Sequence, residues 1–190
     1  MNPDPPQPRL RVLLDACVIY PSVMREVLVA VAEAGLFVPL WSRRIIDEWC
    51  HAAARLGTGA AKLAGVEAAL MQAHFPDAMI TPAGRRDLWL PDPDDLHVLD
   101  AAIAGDADMI LTLNARDFPN RVLGLHDLYR RDPDGFLREL AEEHPNTMLA
   151  VLLKVQAHTA QISARPQPMR ALYKRAGMPR LAKWAAIRAD

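Results

Sequence analysis

The sequence predicts an α/β fold, a three-layer α/β/α sandwich around a mostly parallel sheet, followed by an all-helical extension. Up to about residue 131, short apolar runs alternate with segments of helical periodicity, which is typical of β-α-β units. The run "MILTL" at 109–113 is apolar throughout, as expected for a central parallel strand covered on both faces. From Asp132 onward only helical segments separated by Pro and Gly follow.

These patterns divide the chain into three parts. We expect a disordered tip at 1–8, an α/β domain at 9–131 and a helical extension at 132–190. The predicted strands of the domain are "RVLL" at 11–14, "LFVPL" at 36–40, "AMI" at 78–80, "MILTL", and a possible edge strand "VLGL" at 122–125. The predicted helices of the domain lie at 22–34 with Ser22 as N-cap, at 42–56 with Ser42 as N-cap, at 59–75, and from Asp92 to Gly105.

The helix that starts at "PDPDD" carries a strong start signal. Asp92 suits the N-cap, Pro93 suits the first helical position, and Asp94 and Asp95 lie in the first turn. Acidic side chains there complement the helix dipole, which is a sufficient explanation for Asp92 and Asp94. Asp95 differs, because the residues that follow it at helical spacing are apolar, and its carboxylate should therefore face the protein.

Charge is distributed unevenly along a chain whose net charge is only −1. Residues 151–190 hold eight basic side chains and one acidic one, a balance of 8 − 1 = +7, and the first 150 residues therefore balance to −8. A basic end of this kind can attract a phosphate backbone, although a solvated helical face explains it equally well.

Several classes of protein are disfavoured. The first residues resemble no signal peptide, no apolar run approaches the ~20 residues of a membrane span, and we expect a cytoplasmic protein. Cys17 and Cys50 match no metal or redox spacing and are expected to be buried thiols. The chain has no Gly-rich phosphate loop, nucleophile elbow or dinucleotide fingerprint, which argues against ATPases, serine hydrolases and dehydrogenases.

Polar residues follow the predicted strands at the edge where ligands bind in open parallel sheets. Asp15 follows the first strand, Asn114 follows "MILTL", and Asp117 comes three residues later. Glu48 lies in the middle of its helix beside Trp49. Each has a structural alternative: a turn residue for Asp15, a surface charge for Glu48 and a cap for Asp117.

Carboxylates that share one crevice repel each other and need a compensating cation. Mg²⁺ or Mn²⁺ suits oxygen ligands, and no Cys or His cluster favours zinc. His97 is two residues from Asp95 and is expected to face elsewhere. Asp100 lies about 140° around the helix from Asp95, so we expect it to be structural or to support the site indirectly.

Four segments together resemble the PIN domain, and more narrowly the VapC-like ribonuclease toxins with a helical C-terminal extension. The segments are "VLLDACVIYP", "LFVPLWSRRIIDEW", "PDPDDLHVLDAAIAGDADMILTLNARDFP" and "DPDGFLREL". The resemblance covers residues 10–140 and implies a metal-dependent nuclease, with RNA as substrate, a small antitoxin as partner and a possible homodimer.

The resemblance also assigns roles to single residues. Asp15, Glu48 and Asp95 match the first three acids of the family, which hold the metal ion. Asn114 replaces the fourth acid, which weakens one metal position, and Asp117 is expected to compensate. Thr112 matches a small hydroxyl residue that supports the ligands. Arginines that are candidates for holding the RNA backbone are Arg25, Arg43, Arg44 and Arg116.

Three functions remain open at this point. The first is an Mg²⁺- or Mn²⁺-dependent endoribonuclease acting as the toxin of a toxin–antitoxin pair. The second is a PIN-fold module that binds RNA or protein, with Asn114 marking a weakened metal site. The third keeps the nuclease chemistry but acts on DNA or a housekeeping RNA.

Overall fold

The computed structural model describes residues 9–189, and the segment 1–8, predicted to be disordered, lies outside the described residues. Within them, five parallel strands form one sheet in the order β3-β2-β1-β4-β5. The strands are β1 (Arg11–Leu14), β2 (Val38–Ser42), β3 (Met79–Ile80), β4 (Met109–Leu111) and β5 (Tyr129–Arg131). The predicted α/β/α fold with a parallel sheet is thereby confirmed.

Helices connect the strands and continue after the last one. In chain order they are α1 (Ala16–Ile19), α2 (Ser22–Glu33), α3 (Arg43–Ala54), α4 (Thr58–His74), α5 (Leu96–Ala104), α6 (Asn120–Leu123), α7 (Pro133–Glu143), α8 (Pro145–Ser163), α9 (Met169–Arg175) and α10 (Pro179–Ala189). A short 3₁₀ turn, Pro93–Asp95, lies directly before α5.

The core forms on both faces of β1 and β4. Val12, Leu13 and Ile110 are fully buried, as expected for central strands of a parallel sheet. Ser42 caps α3 as predicted, since its hydroxyl accepts a hydrogen bond of 3.3 Å from the backbone N–H of Ile45.

Two local predictions are wrong. The segment "VLGL" belongs to α6 and the 3₁₀ turn that follows, and the edge strand is instead β5. β5 pairs only with β4 and is not fully buried, so the apolar signal of a strand is weak there. Ser22 is the first residue of α2, and Pro21 is its N-cap.

The C-terminal segments are helical as predicted and pack on the α/β core. The rings of Phe37 and Phe136 meet edge to face with their centroids 5.4 Å apart. Leu152 and Trp184 belong to the same buried hydrophobic cluster as the sheet residues. The division of the chain at residue 132 stays a prediction. Among the described residues, no helix is both long enough and apolar enough to cross a membrane.

The strand order places a switch point of the sheet between β1 and β4. From β1 the chain builds the sheet toward β3 on one side and then returns to β4 on the other. Leu14 at the end of β1 lies opposite Leu111 at the end of β4. In open α/β sheets, ligands bind outside the carboxyl ends of the strands at such a switch point.

Candidate metal centre

Asp15 directly follows β1 and is held by the end of β4. Its backbone N–H donates to the carbonyl of Leu111 at 3.1 Å. The Thr112 hydroxyl donates to Asp15 Oδ2 at 2.6 Å, and the Cys17 thiol donates to the same oxygen at 3.0 Å. Because Asp15 is only 7% exposed, these bonds fix its carboxylate in a largely desolvated position.

Asn114, in the loop after β4, hydrogen-bonds to Thr112 and to two further carboxylates. Its backbone N–H donates to Thr112 Oγ1 at 2.9 Å. Its side-chain amide donates to Asp95 Oδ2 at 3.3 Å and also to Asp117 Oδ2. A carboxylate at position 114 could not donate these bonds, so the amide reduces the repulsion between the acids around it.

Asp92, Asp95 and Asp117 bring one carboxylate oxygen each to within 4.8 Å of one another. Asp92 was expected to act only as a helix cap. It does cap the turn, since it accepts a hydrogen bond of 2.9 Å from the backbone N–H of Asp94. It also belongs to the acidic cluster, and Asp15 and Glu48 lie outside the group that this distance defines.

Glu48 is held through one of its two oxygens. Arg44 Nε donates to Oε1 at 3.1 Å, and His97 Nε2 lies 2.9 Å from the same oxygen. Because a carboxylate only accepts hydrogen bonds, Nε2 carries the proton of this pair. These two bonds leave Oε2 as the oxygen available to a ligand.

The prediction that His97 faces elsewhere is therefore wrong. Its side chain is only 10% exposed and contacts Glu48. Burial lowers the pKa of His97, although Glu48 acts in the opposite direction. His97 Nδ1 is buried and has no hydrogen-bond partner in the part of the chain that the structure describes.

The charges converge on Asp95. Burial, and next the charges of Asp15, Asp92, Asp117 and Glu48, together raise the pKa of Asp95 to about 6. These four carboxylates therefore lie close enough to Asp95 to repel its negative charge. A hard divalent cation fits this oxygen-rich set and would relieve the repulsion.

The four arginines predicted to hold RNA differ in position. Arg25 is only 7% exposed, donates to the Ile19 carbonyl at 2.7 Å, pairs with Glu67 and stacks on Trp49. Its buried guanidinium is already bound by groups of the protein itself. The expectation that it holds an RNA phosphate is therefore wrong.

The other three arginines are exposed. Arg43 pairs with Asp47 at 2.9 Å. Arg44 bridges Glu48 and the carbonyl of Asp94, which it contacts at 3.1 Å. Arg116 makes no ion pair with the described residues and lies between Asn114 and Asp117 in the sequence.

Asp100 is buried, is not a member of the acidic cluster and organises the preceding loop. Its Oδ2 accepts hydrogen bonds from the backbone N–H groups of Gly84 at 2.7 Å and Arg85 at 3.2 Å. It thereby ties the loop that leads into Asp92 to α5. This contact gives Asp100 a structural role.

One comparison with known proteins gives a match. The sequence model of a family described as the PIN domain matches residues 11–116, more than half of the chain, and includes Asp15, Glu48, Asp92, Asp95 and Asn114. No curated protein and no solved structure matches the chain significantly.

Proposed function

Because the chain belongs to the PIN-domain family, whose members are generally nucleases that use divalent metals, we propose that it is a metal-dependent endoribonuclease. The observation that carries the proposal is the acidic cluster at the switch point of the sheet, where Asp92, Asp95 and Asp117 bring one carboxylate oxygen each to within 4.8 Å of one another. Burial and the neighbouring carboxylates raise the pKa of Asp95, which is consistent with this arrangement. A cation held at such a site can activate water and stabilise the charge that develops on a phosphodiester.

The residues proposed to hold Mg²⁺ or Mn²⁺ are Asp15, Glu48, Asp95 and Asp117, with Asp92 added because of its position in the acidic cluster. When bound, the ion supplies activation of water and neutralisation of the charge that develops on the phosphate. Thr112 and Cys17 orient Asp15, and Arg44 and His97 orient Glu48.

Asn114 would act through its remaining oxygen. Both carboxylates beside it accept hydrogen bonds from its Nδ2, which leaves Oδ1 as the free polar atom of the side chain. An amide oxygen only accepts, so it can orient a water molecule by accepting one of its protons. Arg116, exposed and next to Asn114 and Asp117, is proposed to hold the RNA backbone near this point.

In the cell we propose a VapC-like toxin role, with a small antitoxin protein as partner and a homodimer as the assembly. A second candidate is a binding module without catalysis, favoured by the neutral amide that replaces the fourth acid of the family. Hydrolysis of DNA or of a housekeeping RNA is the remaining alternative. A cleavage assay on RNA and on DNA separates a nuclease from a binding module and shows which nucleic acid is the substrate.

The assay incubates the purified protein with single-stranded RNA or DNA in Mg²⁺, Mn²⁺ or EDTA. We expect RNA to be cleaved with either metal and not in EDTA, and Asp95→Asn to lose the activity. Asp94→Asn is the matched control, because Asp94 is the exposed neighbour outside the acidic cluster. Equal cleavage by the wild type and Asp95→Asn would exclude the proposed site.

A further inference from the structure

Trp89 is the exception among the tryptophans of this chain. Of the four, Trp41, Trp49 and Trp184 are at most 2% exposed, whereas Trp89 is 57% exposed. A large exposed aromatic ring offers a flat apolar surface on which a ligand can pack. The neighbours of Trp89 in the fold indicate which ligand this is.

The backbone around Trp89 is anchored. Leu88 and Leu90, on either side, are 8% and 3% exposed, so both insert into the protein while Trp89 projects outward. At the start of the same loop, Asp100 binds the backbone N–H groups of Gly84 and Arg85. An aromatic ring on a segment anchored in this way loses little conformational entropy when it binds a flat ligand.

Trp89 lies close to the candidate metal centre. It precedes Asp92 by three residues, and three residues of extended chain span at most about 11 Å. The backbone of Trp89 is therefore close enough to the acidic cluster for one RNA strand to contact both. Exposed Arg86, which makes no ion pair with the described residues, adds a positive charge to the same loop.

We propose that Trp89 is a stacking platform for an unpaired nucleobase of the RNA strand whose phosphate enters the metal centre. This inference rests on the proposed nuclease function and names its substrate class as single-stranded RNA. Unpaired bases stack on exposed aromatic rings, whereas bases inside a duplex are already stacked on each other. Trp89 thereby favours single-stranded over duplex RNA.

Tryptophan fluorescence tests the proposal directly, because the other three rings are buried out of reach of a base. Short single-stranded RNA is titrated in Mg²⁺ into protein that carries Asp95→Asn, a change expected to prevent cleavage. We expect the emission to be quenched, and the quenching to disappear when Trp89→Phe is added. An oligonucleotide of equal length without bases should not quench.

Affinity gives the second measurement. Trp89→Ala should weaken binding of single-stranded RNA about tenfold and leave binding of duplex RNA unchanged, while Trp89→Tyr restores most of the affinity. Absent quenching, or equal affinity of Trp89→Ala and the parent protein, would overturn the stacking role. If Trp89→Ala binds RNA as the parent protein does but differs from it in sedimentation coefficient, the stacking role is also overturned, and the ring is assigned to contact with a second copy.

Failure of the stacking role can be distinguished from failure of the proposed nuclease function. Cleavage by the wild type without quenching removes only the stacking role, and quenching without cleavage removes only the nuclease function.

Discussion

The Thr112 hydroxyl donates a hydrogen bond of 2.6 Å to Oδ2 of Asp15, two residues that lie 97 positions apart in the chain. The same hydroxyl accepts a bond of 2.9 Å from the backbone N–H of Asn114. One buried side chain thus connects the end of β1 to the loop after β4. The geometry of the acidic site depends on this connection.

Thr112→Val, which keeps the shape of the side chain and removes its hydroxyl, should lower the free energy of unfolding by about 2 kcal/mol. It leaves the Asn114 N–H without its partner and removes a donor to Asp15. Thr112→Ser keeps the hydroxyl and should recover most of the stability. Chemical denaturation of the three proteins measures the difference, and equal stability of the Val and Ser variants would contradict the role of the hydroxyl.

Asp95→Asn should stabilise the metal-free protein at about pH 8 while abolishing cleavage. The pKa of Asp95 is about 6 in the folded protein against an ordinary 3.8, so folding takes up a proton between these values, and stability falls as the pH rises through them. The gain from the substitution should be about 1–2 kcal/mol above pH ~6, since solvent screens part of the repulsion, and should vanish below pH ~4.

Thermal unfolding in EDTA across this pH range measures the gain, with Asp94→Asn as control. An Asp95→Asn protein less stable than the wild type at every pH would show that its neighbours do not repel the carboxylate.

His97→Ala should weaken Mn²⁺ binding about tenfold, because Glu48 loses the donor that lies 2.9 Å from its Oε1. His97→Gln keeps an N–H donor and should recover part of the affinity. Calorimetric titration of Mn²⁺ separates this positioning role from a purely structural one. If His97→Ala folds normally and binds Mn²⁺ as the wild type does, His97 does not orient Glu48.

Cys17 should resist alkylation in the folded protein. Burial, and next the charge of Asp15, raise its pKa to about 12, so the reactive thiolate is scarce at about pH 8. Iodoacetamide labelling followed by mass spectrometry should modify Cys17 rapidly only after unfolding in guanidinium. Cys17→Ser provides the control, since it leaves Cys50 as the sole thiol. Equal labelling rates of Cys17 before and after unfolding would contradict its placement beside Asp15.

The sequence was sufficient to predict the positions of Asp15 and Asp95 in the fold. Asp15 directly follows a buried run, and the apolar residues after Asp95 indicate which way it faces. Both inferences rest on local periodicity, which a single sequence displays. The same periodicity misled the prediction for His97. The prediction compared His97 with Asp95 alone on one continuous α-helix. Asp95 lies instead in a 3₁₀ turn before α5, and His97 reaches the site through Glu48 of α3, a contact that the sequence of its own helix does not show.

Other features depend on contacts that no local pattern displays. Arg25 is buried because Glu67, 42 residues away, and Trp49 meet it in the folded protein. Asp92 has an adequate local role as a cap, which concealed its place in the acidic cluster. β5 pairs on one side only, and its "YRR" sequence lacks the apolar run that identified β4.

Calorimetric titration of Mn²⁺ into the purified wild type and Asp95→Asn proteins is the most direct test of the central claim, that carboxylates from β1, α3, the turn before α5 and the loop after β4 jointly hold a cation. We predict saturable binding to the wild type that Asp95→Asn weakens strongly. Absence of binding by the wild type at millimolar Mn²⁺, or equal affinity of the two proteins, would contradict the account.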